Sequence, residues 1–176
     1  MPTQDANSIP RHSAVPHGAF AVNIPWDFLE EWLANYSRGL YKLDLSPDYQ
    51  RFHVWTPEQQ AAYMEFILSG GESGKVLYFN HPNWMGSYEG TLELVDGKQR
   101  MEAVRAFLRS EVPVFGSLFK DFTDNLGFGS GEFRVQIAKL PTRKLVLQWY
   151  LAINAGGTPH TSEELDRVRN LLDLEK

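Results

Sequence analysis

Apolar residues recur along this chain at two spacings, one typical of helices and one typical of strands. Helical spacing predicts helices over residues 24–39, 56–71, 98–108 and 142–154, and a last helix from Thr161 onward. Alternation of apolar and polar residues predicts strands over residues 40–46, 75–80, 91–95 and 132–140. Loops are expected over residues 81–90 and 110–131. Because helices and strands follow one another in mixed order, the pattern predicts an α+β fold, with a small mixed sheet surrounded by helices.

Length and composition fit one folded domain after a short lead-in. The chain has 176 residues, of which 43% are hydrophobic and 13% aromatic, enough for a substantial core. Residues 1–20 are polar and contain several prolines, which predicts a flexible lead-in before a domain over residues 21–176. No apolar run approaches the ~18 residues that a membrane span needs.

Cysteine content and charge exclude several classes of chemistry. Cysteine is absent, so disulfides, thiol nucleophiles and cysteine-based zinc sites are excluded, and a cytoplasmic location is expected. His53, His81 and His160 lack the spacing of metal ligands. The formal net charge of −5 argues against a general nucleic-acid coat, although a local basic groove is compatible with it.

Arg100 is an unusual residue for its position in the predicted helix. It lies three, four and seven residues before Ala103, Val104 and Phe107, so it begins the inward face of that helix. A guanidinium there needs a partner. Two interpretations remain open: Arg100 pairs with Asp96 or another carboxylate and fixes the turn, or it serves an anionic ligand.

Three segments have the composition of a binding site. The loop segment (residues 46–55, SPDYQRFHVW) contains Gln50 and Arg51. The turn segment (residues 95–100, VDGKQR) runs from a strand into a helix through Asp96, Gly97, Lys98, Gln99 and Arg100. The glycine segment (residues 153–165, INAGGTPHTSEEL) joins two helices and contains Asn154, Gly156, Gly157 and Thr158.

The turn segment suits a phosphate. A glycine turn that opens a helix directs unpaired N–H groups and the positive end of the helix dipole at one point. Arg100 adds a two-pronged donor and Lys98 a point charge, while Asp96 is suited to a magnesium-bound water or a ribose hydroxyl. Arg51 is either a second anion contact or an ordinary surface arginine. Gly156 and Gly157 are fully explained, on the residue pattern alone, as a helix stop before a new N-cap at Thr161.

Taken together, the three segments in this order resemble the N-terminal domain of GmrSD-type restriction endonucleases, a family similar to ParB and sulfiredoxin. The resemblance covers about residues 22 to 172. The family's central motif is Asp-Gly-Gln-Gln-Arg, and this chain has Lys98 in place of the first glutamine. The resemblance implies nucleoside-triphosphate binding with Mg²⁺, with Asp96 and Arg100 in catalytic roles and Asp96 at the metal. It also implies a bacterial cell or a phage as the source.

The resemblance leaves three functions to weigh. The favoured one is a nucleoside-triphosphate-binding module, with slow triphosphatase activity, that regulates a DNA restriction or counter-defence system together with a protein partner. No HNH nuclease motif is found in the sequence, and the net charge does not favour the second, a ParB-like DNA-binding protein or nuclease. The third is a non-catalytic inhibitor or interaction protein that retains the fold.

Overall fold

A computed structural model of the chain describes residues 20–39, 42–50, 55–87, 89–123, 131–154 and 162–175. In these residues the strands are β1 (Phe20–Pro25), β2 (Lys42–Asp44), β3 (Val76–Asn80), β4 (Thr91–Asp96) and β5 (Glu132–Ala138). The helices are α1 (Leu29–Arg38), α2 (Pro57–Leu68), α3 (Lys98–Leu108), α4 (Arg143–Asn154) and α5 (Ser162–Leu174). Short 3₁₀ turns lie at Trp26–Phe28 and Phe119–Asp121.

The strands form one five-stranded sheet in the order β1-β5-β3-β4-β2. The β1–β5 and β3–β4 pairs are antiparallel, whereas β5–β3 and β4–β2 are parallel, so the sheet is mixed. The parallel pairing of β2 with β4 has a direct consequence. The chain that leaves β2 emerges at the same edge as the chain that leaves β4, which is the edge where the turn segment begins.

Each face of the sheet is covered by helices. On one face, β4 contributes Leu92 and Leu94 to a core shared with α1, α2 and α3. On the other face, Val95 joins a second core with α4 and α5. This alternation along β4 is the normal result of the two-residue period of a strand. The predicted α+β class, with a small mixed sheet between helices, is therefore confirmed.

The predicted helix over residues 24–39 is wrong at its beginning. Ile24 and Pro25 are the end of β1, which pairs with β5, and a 3₁₀ turn separates that strand from α1. Pro25 therefore does not occupy the first turn of the helix, and Phe20, placed in the predicted lead-in, begins a strand. The backbone pairing with β5, together with the hydrogen bond from Trp26 N to Gly131 O (2.9 Å), outweighs the local helical pattern.

The other predicted elements are confirmed with small changes of boundary. α2 begins as expected, because Thr56 and Gln59 form a reciprocal capping box and Pro57 occupies the first turn. α5 begins at Ser162, and Thr161 lies outside the described residues. None of the helices in the described part of the chain has the length and apolar character that crossing a membrane requires.

Candidate functional site

The junction between β4 and α3 is built around one glycine. Asp96 is the last residue of β4, and Gly97 has a left-handed φ of 109° before α3 begins at Lys98. A Cβ atom at position 97 would lie 2.5 Å from Leu77 Cδ2. Both the backbone angle and this contact require glycine here. No side chain caps α3, so the junction is a glycine turn leading into an uncapped helix, as the sequence predicts.

Arg100 pairs with the acidic residue at the end of the strand. Its Nη2 lies 2.5 Å from Asp96 Oδ2, and the two side chains are 20% and 29% exposed, respectively. The stem of Arg100 lies beside Tyr63 and Gly74, because a Cβ added to Gly74 would be 3.5 Å from both Arg100 Cδ and Tyr63 Cε2. Burial raises the pKa of Tyr63, while the charge of Arg100 opposes that shift. The pairing of Arg100 with Asp96 is therefore observed, and the guanidinium remains partly exposed.

The loop segment is anchored to the turn segment at both of its ends. Lys98 Nζ donates to Ser46 Oγ at 2.7 Å. At the other end, Trp55 N donates to Gln99 Oε1 at 3.1 Å. Residues 46 and 55 therefore both contact the first turn of α3. Residues 51–54, which include the predicted site residue Arg51, lie outside the described residues.

Gln50 is a further link between these two segments. It is only 9% exposed, and its Nε2 donates to the backbone oxygen of Leu94 in β4. This bond fixes the orientation of the amide, since only the nitrogen can donate. Gln50 Oε1 is buried and has no hydrogen-bond partner among the described residues. A buried acceptor left in this way is costly, and a donor supplied by a ligand or a water would remove the cost.

The glycine segment follows α4, which packs on the face of the sheet that carries Val95. In α4, the ring of Trp149 lies 5.7 Å from that of Tyr78, which pairs with Asp96 across β3 and β4. The neighbouring Tyr150 ring lies 5.2 Å from that of Tyr49, next to Gln50. α4 ends one turn later at Asn154, whose Nδ2 donates to Tyr150 O at 2.7 Å.

These contacts place the helix before the glycine segment against β3 and the loop segment. The predicted site residues Gly156, Gly157 and Thr158 lie outside the described residues, so their place in the site stays a prediction.

The sequence analysis missed a half-buried carboxyl group beside this site, that of Glu93. Burial raises the pKa of Glu93 in β4, while the neighbouring Tyr49 and Asn80 side chains oppose that shift. Burial and the nearby Glu93 also raise the pKa of Tyr49. The signal in the sequence was the alternation of β4, which places Glu93 on the same face as Val95.

A metal site made by the protein alone is not found in the described part of the chain. No group of three or more His, Cys, Asp or Glu residues there could hold a metal ion. Asp96 is a single carboxylate at the junction, already paired with Arg100. This arrangement fits Mg²⁺ only where phosphate oxygens supply other ligands, which is the common way that proteins bind this ion with nucleotides.

Comparison with protein families gives a match that covers the loop and turn segments. The model of the GmrSD restriction endonuclease N-terminal domain matches residues 29–143, more than half of the 176 residues. The chain belongs to this family. The match contains the loop and turn segments whole, whereas the glycine segment lies beyond it. No curated protein and no solved structure matches the chain, so the ParB and sulfiredoxin-like character of the GmrSD-type domain stays a prediction.

Proposed function

We propose that this GmrSD-type domain binds a nucleoside triphosphate at the β4–α3 junction and thereby regulates a DNA restriction or defence system. Membership of the family connects the chain with restriction. The observation that carries the nucleotide is the first turn of α3. It follows a left-handed glycine, has no side-chain cap, contains no acidic residue, and contains both Lys98 and Arg100.

A bound anion would compensate the positive charge at the first turn of α3. The N-terminus of a helix carries a partial positive charge, and cations placed there are unfavourable by a few tenths of a kcal/mol to about 1 kcal/mol each. Lys98 and Arg100 add to that charge. A phosphate would be attracted by the cations and would accept hydrogen bonds from the backbone N–H groups.

Arg100 has donors to spare for this task. Among the described residues its hydrogen-bond partner is Asp96, which takes Nη2, and a guanidinium carries five N–H donors. We assign Arg100 to the phosphate oxygens, where it would also stabilise charge that develops during slow hydrolysis. Asp96 would hold a Mg²⁺ ion that the phosphates bring, or a water bound to it. Magnesium supplies charge neutralisation between the phosphates.

Gln50 suits the other end of such a ligand. Its Oε1 can only accept, and a nucleotide offers donors in its ribose hydroxyls and in the N–H groups of its base. Arg51, Asn154, Gly156, Gly157 and Thr158 are proposed to complete the nucleotide site. A protein partner that carries out cleavage, or that is regulated by the nucleotide state, completes the proposed role.

A thermal-shift panel tests the proposal. ATP, GTP, CTP and UTP are each added with and without Mg²⁺, and the melting temperature is measured. A ligand at ~100 times its dissociation constant stabilises the fold by ~2.7 kcal/mol, which corresponds to roughly 5–10 °C for a domain of this size. At least one nucleotide is expected to produce this shift. A panel in which no nucleotide moves the melting temperature at millimolar concentration would contradict the proposal.

A further inference from the structure

Asp48 in the loop segment forms hydrogen bonds with both C-terminal helices. Arg143 Nη2 at the start of α4 donates to both carboxylate oxygens of Asp48 at 2.7 Å. Arg167 Nη2 in α5 donates to the backbone oxygen of the same aspartate. Arg143 Nε also lies 3.3 Å from Glu175 Oε1, directly after α5. We call these four residues the Asp48 cluster.

The Asp48 cluster holds the turn of residues 47–50, at the end of which Gln50 lies. Within this turn, Gln50 N donates to Pro47 O at 2.9 Å, so residues 47–50 form a closed unit. Tyr49 is buried against Tyr150 of α4. One side of the turn is thus held by α4 and α5, and the other side presents Gln50 to β4.

We infer that Arg143 and Arg167 are positioning residues for the nucleotide site, and that α5 controls the affinity of that site through them. The inference rests on the proposed function for its ligand, a nucleoside triphosphate. α5 lies wholly beyond the family match, which ends at residue 143, yet it holds the backbone of the loop segment. Displacement of α5 would remove the bond from Arg167 to the backbone oxygen of Asp48 and loosen the turn before Gln50.

Because the side chains of the Asp48 cluster are exposed, their effect on nucleotide binding can be measured apart from any effect on global stability. The side chains of Arg143 and Asp48 are 39% and 59% exposed, and ion pairs of this kind contribute little to global stability. Removing them is therefore expected to leave the melting temperature nearly unchanged. If the turn at residues 47–50 is less ordered in the free protein, binding must also order it. The free energy of ordering is then subtracted from the binding free energy, so the affinity for the ligand falls.

The chain offers a matched control on the same helix. Arg169 Nη1 pairs with Asp166 Oδ1 at 2.7 Å, within α5 and with both side chains about 60% exposed. The experiment compares Arg143→Gln, Arg167→Gln and Asp48→Asn with Arg169→Gln. Dissociation constants are measured for whichever nucleotide and Mg²⁺ stabilises the wild type. Amide hydrogen exchange at Gln50 is measured in the absence of nucleotide.

Each cluster variant is expected to bind nucleotide about two- to fivefold more weakly, and Arg169→Gln to bind like the wild type. Arg143→Lys, which keeps the charge, should restore part of the loss. The double variant Asp48→Asn with Arg143→Gln should be no weaker than the weaker single variant, because the pair acts as one unit. Exchange at Gln50 N–H should be faster in the cluster variants and unchanged in the control.

The two readouts distinguish failure of this inference from failure of the proposed function. Unchanged exchange at Gln50 in both Arg143→Gln and Arg167→Gln would overturn the inference whether or not a nucleotide binds. Wild-type affinity in all the cluster variants would also overturn it. A wild-type protein that binds no nucleotide, with exchange at Gln50 still dependent on the cluster, would contradict the proposed function alone.

Discussion

The first turns of α2 and α3 solve the same physical problem in opposite ways. In α2, Thr56 Oγ1 accepts from Gln59 N, Gln59 Oε1 accepts from Thr56 N, and Pro57 has no N–H to satisfy. In α3, Gly97 offers no side chain, and the first turn carries Lys98 and Arg100 where the dipole favours acids. The N-terminus of α2 is therefore capped by residues of its own first turn and N-cap. The first turn of α3 has no side-chain cap, and we proposed above that an anion binds there.

The glutamines of these two turns show the same contrast. Gln59 bonds back to the N-cap of its own helix. Gln99, in the corresponding first turn of α3, instead accepts from Trp55 N in the loop segment. The side chain that could have helped to close α3 holds another segment of the candidate site. The comparison shows that the same residue type caps its own helix in α2 and joins α3 to a distant segment.

The largest difference is expected at Gly97. Gly97→Ala forces a residue with a Cβ into a left-handed conformation and places that Cβ against Leu77, so about 2–4 kcal/mol of stability should be lost. Urea unfolding of the variant measures the loss. A change below ~0.5 kcal/mol would show that the junction is not constrained as described.

Arg100→Ala should act on binding rather than on stability. Removal of a charge-assisted contact is expected to weaken nucleotide binding by ~1.5–3 kcal/mol, roughly ten- to a hundredfold. The Asp96 carboxylate left behind is partly exposed, so unfolding free energy should fall by no more than about 1 kcal/mol. Calorimetric titration beside denaturant melts measures both. A variant that unfolds easily yet binds nucleotide normally would assign Arg100 to structure.

Thr56→Ala at α2 is expected to show the opposite pattern, a loss of stability without a loss of nucleotide binding. Loss of the capping box should cost about 1 kcal/mol of stability. Nucleotide affinity should be unchanged within measurement error, because Thr56 caps α2 and takes no part in the β4–α3 junction. The same pair of measurements applies. A clear loss of affinity here would break the distinction between the two helix termini.

Lys98→Gln should have the smallest effect. It restores the glutamine of the family motif and removes a cation from the positive end of α3, while losing the hydrogen bond to Ser46. The two changes in stability oppose each other, and each is expected to be below ~1 kcal/mol. Binding should persist within about threefold, since Arg100 and the backbone N–H groups remain. Complete loss of binding would give Lys98 a role that Arg100 cannot replace.

The sequence predicted the parts of this fold that depend on local chemistry. The capping box of α2 and the strand–glycine–helix junction each depend on a few residues that are neighbours in the sequence. β1 was missed because its pairing partner is distant: Phe20 lies opposite Ile137. The short alternation of Val22 and Ile24 was a weaker local signal than the helical pattern that follows it.

In the candidate site too, local contacts could be predicted from the sequence and long-range contacts could not. The Asp96–Arg100 pair spans one helical turn, so the sequence could suggest it. The contacts of Lys98 with Ser46 and of Gln99 with Trp55 depend on the parallel pairing of β2 with β4, which no local pattern specifies. The contacts of Asp48 with α4 and α5 depend on packing across the second core. Long-range geometry of this kind was accessible only from the structure.

Backbone amide chemical shifts, measured while a nucleotide with Mg²⁺ is titrated, test the central claim most directly. The protein is small enough for each amide to be followed separately. The account predicts saturable shifts at Gly97, Lys98 and Gln99, with smaller shifts at Gln50, and none at Glu58 and Gln59 in the first turn of α2. Saturable shifts that leave the first turn of α3 unmoved, or that affect both helix termini equally, would contradict it.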